Sequence, residues 1–367
     1  MSEWKKTKLE EVLSFGNGNV KPKIEGTIPI YGGNGILGFG NEFNYNGETI
    51  IIGRVGAYCG SVYFENKPIW ISDNALSAKP KGENNAKFFY YFLKHINLNQ
   101  WAGGSSHPLV TQSLLNSLEF SICINTKTQT AIASILSSLD DKIDLLHRQN
   151  ATLEKMAETL FRQRFIEEAK EEWKEGRVSD YALHLKDSIQ PQKNPSTFYF
   201  HYSISSFDNG RIPITELGEE VKSNKYKVPK NCILFSKLNP HKEKRVWLLQ
   251  DEVEENSICS TEFQVVFPKN KQHLYFLYGW LTFNENYNEI ASGVGGTSSS
   301  HQRIDPKAIY EFQCPLISDS VIENFNVKIK PIFMKQVINQ NQIRTLTALR
   351  DTLLPKLMSG EIRVNQT

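Results

Sequence analysis

The sequence is short of nearly everything that would name an activity. It has five cysteines in 367 residues (Cys59, Cys123, Cys232, Cys259 and Cys314), odd in number and never in a CxxC spacing. That excludes a disulfide framework and a cysteine zinc site, and leaves reduced thiols. Its apolar runs fall far short of the ~20 residues that a membrane span needs. No membrane is expected, and with no leader pattern the expected setting is cytoplasmic. An excess of one charge is missing too: 42 Lys and Arg against 40 Asp and Glu give a net +2. A polyanionic partner would therefore have to be held by local charge. The eight histidines are dispersed, without the spacing of a metal site. No Gly-Lys-Ser/Thr phosphate loop and no Asp…Glu-x-Lys nuclease cluster occurs. A methyltransferase motif of the Asn-Pro-Pro-Tyr kind has only superficial echoes, in "LNPHK" (238–242) and "DPKAIY" (305–310). One fingerprint is literal, since Gly33, Gly35 and Gly38 in "GGNGILG" spell G-x-G-x-x-G. A dinucleotide site needs a helix to follow at once, yet "FGNEFNYNGETIIIG" reads as turns and a strand. What remains is a glycine loop that lets backbone approach closely. The chain reads as non-catalytic, with no metal or cofactor of its own.

What the sequence does have is a repetition. "GGSSHPLVTQSLLNSLEF" (103–120) returns as "GGTSSSHQRIDPKAIYEF" (295–312). From His107 and His301 onward the copies align without a gap, pairing Val110 with Ile304, Leu115 with Ile309 and Leu118 with Phe312. Fainter echoes lie upstream. "IIIGR" (50–54) matches "ILFSK" (233–237), setting Arg54 opposite Lys237, and "SDNALSAKP" (72–80) matches "STEFQVVFP" (260–268). Capping boxes at Thr126/Gln129 and Ser320/Glu323 predict a helix after each copy. In the first, Ile132, Leu136, Leu139, Ile143, Leu146, Asn150, Leu153, Ala157 and Leu160 form a heptad seam. In the second, Ile322, Phe325, Ile329 and Ile332 begin a seam that Ile343, Leu346 and Leu353 resume, and Pro331 between them predicts a kink.

The fold class is α+β. Residues 1–125 form one globular unit and 126–176 a helix with a charged linker, "EEAKEEWKEG". Residues 177–317 form a second unit, and 318–367 a second helix whose tail, "SGEIRVNQT", is expected to be poorly ordered. "AKFFYYFLKHI" and "HLYFLYGWLTF" are helical patches within the units. A half-apolar helix needs a partner, and the nearest is its own copy. Two halves related by a pseudo-two-fold axis would set two long antiparallel helices as a coiled-coil-like spacer between the units. A helix from Thr126 to about Arg164 would be roughly 57 Å long, and Asn150 would help fix its register.

Positive charge is local in the second unit. Lys222, Lys225, Lys227, Lys230, Lys237, Lys242, Lys244 and Arg245 are interleaved with Tyr226, Asn239 and His241, a mixture that suits phosphates and base edges together. Any single lysine reads equally well as solvated surface; the group favours nucleic acid. The first unit offers Asn34, Arg54, Tyr58, Asn74 and the Ser105/Ser106/His107 loop, and the second copy of that loop adds Ser299, His301, Gln302 and Arg303.

Along essentially its whole length the sequence resembles the specificity subunits of type I restriction-modification enzymes. The carrying motifs are "IPIYGGNGILGF" (28–39), "IIIGRVGAYCGSVYF" (50–64), "WISDNALSAKP" (70–80), "ILFSKLNPHKEKRVW" (233–247), "ICSTEFQVVFP" (258–268) and "GTSSSHQRI" (296–304). The closing "LRDTLLPKLMSGEI" (349–362) is especially characteristic. The resemblance implies two target-recognition domains, each reading half of a split, asymmetric site on double-stranded DNA. It implies a helical spacer on which two methyltransferase subunits dock, the seam residues Ile132, Leu139, Leu146, Leu153, Leu160, Ile343, Leu346 and Leu353 being the candidate interface. S-adenosylmethionine, ATP and Mg belong to partner subunits, among them a motor-nuclease restriction subunit that can join. The helix length bounds the interval between half-sites at roughly 17 base pairs. The rival reading is a non-catalytic scaffold whose two units bind a protein or a glycan.

Overall fold

The computed structural model describes residues 3–103, 108–295 and 302–364. The chain divides into two compact units, residues 1–148 with 339–367 and residues 149–338, and both mix strands with helices.

The first unit is built on a four-stranded antiparallel sheet in the order Leu13–Asn17, Ala75–Pro80, Thr49–Gly53, Val62–Glu65. The unbroken apolar run in Thr49–Gly53 is explained by its place: every residue of that inner strand is buried, the condition under which a strand loses its polar alternation. Helix Ala86–His95 packs Phe88, Phe89 and Phe92 against this sheet. A second sheet, Gly35–Gly40, Glu25–Gly32 and Trp70–Ile71, ends in a parallel pair. A short antiparallel pair, Trp4–Lys8 with Glu119–Cys123, leads into the long central helix.

The second unit repeats this plan. Its four-stranded antiparallel sheet runs Ala182–Leu185, Phe263–Pro268, Cys232–Ser236, Val246–Leu249, and again the inner strand Cys232–Ser236 is buried throughout. In its five-stranded sheet Phe198–Tyr202 pairs in parallel with Ser257–Cys259, as Glu25–Gly32 does with Trp70–Ile71. The duplication holds bond by bond. Leu9 N–H donates to Leu118 O at 2.9 Å, and Val178 N–H donates to Phe312 O at 3.0 Å. Lys8 N–H is received by the Glu11 carboxylate, and Arg177 N–H by that of Asp180. The weak upstream echoes are therefore structural. All five cysteines are free and buried.

The central helix is Thr126–Arg162, 37 residues, continued by a π-helical turn over Gln163–Glu167; the C-terminal helix is Asp319–Ser359, 41 residues. Each contributes to both cores. In the first unit Ile132, Ala133 and Leu136 share a cluster with Leu357 and Met358, and Arg350 Nη1 donates to Asp140 Oδ1 at 2.8 Å. In the second, Ala157, Phe161 and Phe165 meet Phe325, Ile329 and Phe333, and Gln336 Nε2 donates to Asn150 O at 3.2 Å. Within each unit, rising numbers on one helix face falling numbers on the other, so the segments pair antiparallel.

Three expectations are corrected. The central helix is capped one residue earlier than its Thr-x-x-Gln box implied. Asn125 Oδ1 accepts from Lys127 and Thr128 N–H, while Gln129 is buried and its amide bridges Asn84, Asn85 and Cys123. The C-terminal helix starts at Asp319, which puts Ser320 inside its first turn; the same element continues past Pro331, the position of the expected kink. The carbonyl freed there is that of Val327, whose side chain is 72% exposed, where water can take the missing donor's place. The tail is held through Val364, which packs on the first unit's core, and Trp4 Nε1 donates to Met358 O at 2.8 Å.

Candidate functional site

In both units the buried inner strand ends at one loop edge, and there the repeated motifs converge. In the first unit Arg54 N–H donates to Asn74 O (3.0 Å) and Arg54 O accepts from Val110 N–H (2.9 Å). Gly56 N–H reaches Pro108 O at 3.3 Å, and Val55 bridges Leu109. In the second unit Lys237 N–H donates to Glu262 O (3.0 Å) and Lys237 O accepts from Ile304 N–H (3.0 Å). Asn239 N–H reaches Gln302 O at 2.9 Å, and Leu238 bridges Arg303. Three main-chain hydrogen bonds, two of which make the bridge, thus recur on corresponding residues of each loop edge.

Gly53 shows how tight the first edge is. A Cβ there would lie 2.6 Å from both Gly33 O and Tyr58 O. That approach gathers the turn carrying exposed Asn34, the exposed Tyr58 and Asn74, and Arg54. Arg54 is half-buried; its Nη1 reaches Asp73 O at 3.4 Å, and its Nε is buried with no hydrogen bond among the described residues. An under-satisfied guanidinium at a loop edge is costly unless a partner completes it. Ser105, Ser106 and His107, and likewise Ser299 and His301, lie outside the described residues.

The basic group of the second unit divides in two. Lys237, His241 and Lys242 have no side-chain partner among the described residues, and His241 and Lys242 are exposed. With Gln302 and the main chain of Asn239 they line the frame edge. Lys222 and Lys230 are exposed, whereas Lys225, Lys227, Lys244, Arg245 and Arg303 are engaged. Lys225 is buried in a strand, its Nζ on Ser223 Oγ at 2.5 Å, and burial pulls its ammonium below the usual lysine range. That removes Lys225 from the surface set, because a charge in a sheet interior cannot reach a partner. Lys227 pairs with Asp187 at 3.0 Å. Lys244 Nζ donates to Thr282 O and Asn284 Oδ1, both at 2.8 Å. Arg245 grips Asp208 at 2.6 and 2.9 Å, and this hydrogen-bonded pairing raises its guanidinium further. Arg303 makes a forked contact with Glu262. Sequence reasoning missed Glu262, although the alignment of "SDN" with "STE" already set it opposite Asn74.

The seam residues named as a subunit interface lie largely inside the chain. Ile132, Leu146 and Ile343 are buried, and Leu139, Leu153, Leu160, Leu346 and Leu353 are half-buried. Leu353 packs on the first unit's core, and Leu153 and Leu160 on the second's. The exposed apolar side chains of the long helices are others: Leu145 and Leu349 in the first unit, Met156, Val327, Met334 and Ile338 in the second. Among the described residues no helix is long and apolar enough to cross a membrane.

Two α+β units, repeated around one loop edge and carrying different side chains on it, define a tandem duplication of a single fold. Residues 1–155 match the family model for the type I restriction modification DNA specificity domain. The chain is 27% identical over 348 residues to the type I restriction enzyme MjaIX specificity subunit of Methanocaldococcus jannaschii, covering 84% of this chain and 76% of that protein. It is 30% identical over 146 residues to the Escherichia coli EcoprrI specificity subunit, 38% of this chain and 36% of that one. Its fold is similar to the crystal structure of a type I restriction-modification S subunit from M. genitalium, with a TM-score of 0.67 at 18% identity over 99% of this chain and 97% of the other. By these matches the chain is similar to type I restriction-modification specificity subunits, in sequence over most of its length and in fold throughout.

Proposed function

We propose that the chain is a non-catalytic DNA reader, each unit recognising one half of a bipartite, asymmetric double-stranded site in the cytoplasm. The observation that carries this reading is the frame itself. Three main-chain hydrogen bonds repeat while Arg54, Asn74, Pro108 and Leu109 are replaced by Lys237, Glu262, Gln302 and Arg303. A fixed frame with exchanged side chains suits two readers of different sequence. Lys237 and Lys242, unpaired among the described residues, and under-satisfied Arg54 suit phosphate and base contacts.

In this reading the long helices set the interval between half-sites and dock two methyltransferase subunits. Continuity of both helices between the cores supports the first role, and the exposed Leu145, Leu349, Met156, Met334 and Ile338 support the second. S-adenosylmethionine, ATP and Mg are carried by the partners, and a motor-nuclease restriction subunit can join. The test is co-expression with the cognate methyltransferase subunit and mapping of methylated adenines across a genome. A two-part motif with an unspecified interval is expected. Methylation by the chain alone, or a single continuous motif, overturns the reading. DNA affinity should fall steeply with added salt; a salt-insensitive complex points instead to a protein or glycan scaffold.

A further inference from the structure

The two units carry different side chains at one corner of their shared frame. Where the first has Asn74 and Leu109, the second has Glu262 and Arg303, both held by the frame on the two sides of Lys237. Their side chains meet. Arg303 Nε lies 3.2 and 3.0 Å from the two Glu262 carboxylate oxygens, and Nη2 donates to Oε1 at 2.8 Å. This occupies one edge of the guanidinium. The other edge, Nη1 with the outer hydrogen of Nη2, has no hydrogen bond among the described residues, and the Arg303 side chain is 44% exposed.

A fork tied to a carboxylate is poorly suited to clamping phosphate, because the pair carries no net charge and a phosphate would meet Glu262 as well. As a fold contact it is worth little, since exposed ion pairs contribute about 0–1 kcal/mol. What the contact does supply is orientation. Arg303 is held in one rotamer before any partner arrives, so less freedom is lost on binding. Its free edge then presents two parallel N–H donors. In the major groove the matching pair of acceptors is O6 and N7 of guanine, the commonest bidentate arginine contact. Lys237, His241 and Lys242 on the same edge remain for the backbone.

We infer that Arg303 reads a guanine in the half-site of the second unit and that Glu262 is the positioning residue that aims it. This rests on the DNA-reading function proposed above, and the experiment separates the two. The full-length chain, assembled with its methyltransferase subunit, is compared with Arg303→Lys and Glu262→Gln assemblies by methylated-adenine mapping. Binding is then measured to duplexes with 7-deazaguanine at each guanine of the motif in turn. Arg303→Lys keeps the charge but removes the fork. The expected result is loss of discrimination at one guanine of one half-site, between about 5- and 150-fold, with the other half-site unchanged. Glu262→Gln should relax the same position more mildly. 7-Deazaguanine at that position should weaken wild type and leave Arg303→Lys unaffected. A motif unchanged in Arg303→Lys overturns the inference while leaving the DNA reading intact. A uniform fall in affinity across all sequences makes Arg303 a phosphate contact and also overturns it. A wild-type assembly that recognises no duplex removes both.

Discussion

Arg245 and Lys242 stand three residues apart in one basic run, yet they are not equivalent. Arg245 is closed on Asp208 with 11% of its side chain exposed, whereas Lys242 faces solvent without a side-chain partner among the described residues. Composition counts both as charge available to a ligand; only the fold shows which has already been neutralised. The partners lie far away in sequence, 37 residues for Asp208 and 41 for the Glu262 of Arg303, so no local pattern displays them. Gln129 makes the same point for a neutral group. Its amide donates to Asn84 Oδ1 and Cys123 O and accepts from Asn85 N–H, with no exposure. Gln129→Leu fills similar space but orphans those groups. A loss of roughly 2–4 kcal/mol is expected, read by urea denaturation; a change under about 0.5 kcal/mol, as surface substitutions give, would show the bridge to be unimportant.

At the scale of elements, much was legible. The heptad spacing of Ile132 to Leu160, the aromatic patches at 86–96 and 273–283, and the apolar strands at 50–54 and 233–237 all correspond to elements of the fold. These signals are local and periodic, which is why sequence carries them. The use of each face was not legible. A seam that can pack on another part of its own chain or on a separate subunit has the same spacing in both cases. Gly279 shows an element whose local rule reverses. In helix Leu274–Thr282 a glycine normally costs about 1 kcal/mol relative to alanine. Here a Cβ would lie 2.2 Å from Phe161 Cδ2, in the ring cluster that Phe161 forms with Phe276, Phe283 and Phe325. Overpacking typically costs about 1–3 kcal/mol, so Gly279→Ala should lower stability despite its helix preference. A raised melting temperature would contradict this.

At the scale of the whole molecule, three partly desolvated imidazoles set an acid limit. His95, in the first unit, and His184 and His201, in the second, are all pushed down, first by burial, with the Glu216 carboxylate opposing this at His201. Each therefore binds a proton less readily folded than unfolded. Their contribution to stability is present above the unfolded value of about 6.5 and is lost as pH falls from there through the folded values. The melting temperature should decline as pH falls below about 6.5. A His201→Gln variant should show a shallower decline, and an equal slope would remove His201 from the account. The loop-edge contacts have a different consequence. Each joins one peptide group to another, so none depends on which side chain its residue carries, apart from the need for an N–H where one is donated. Mutation can rewrite Arg54, Asn74, Glu262 or Arg303 without erasing the bonds that hold them in place. Selection could then alter the message one letter at a time on a support that does not change, and could do so separately in each half of the chain.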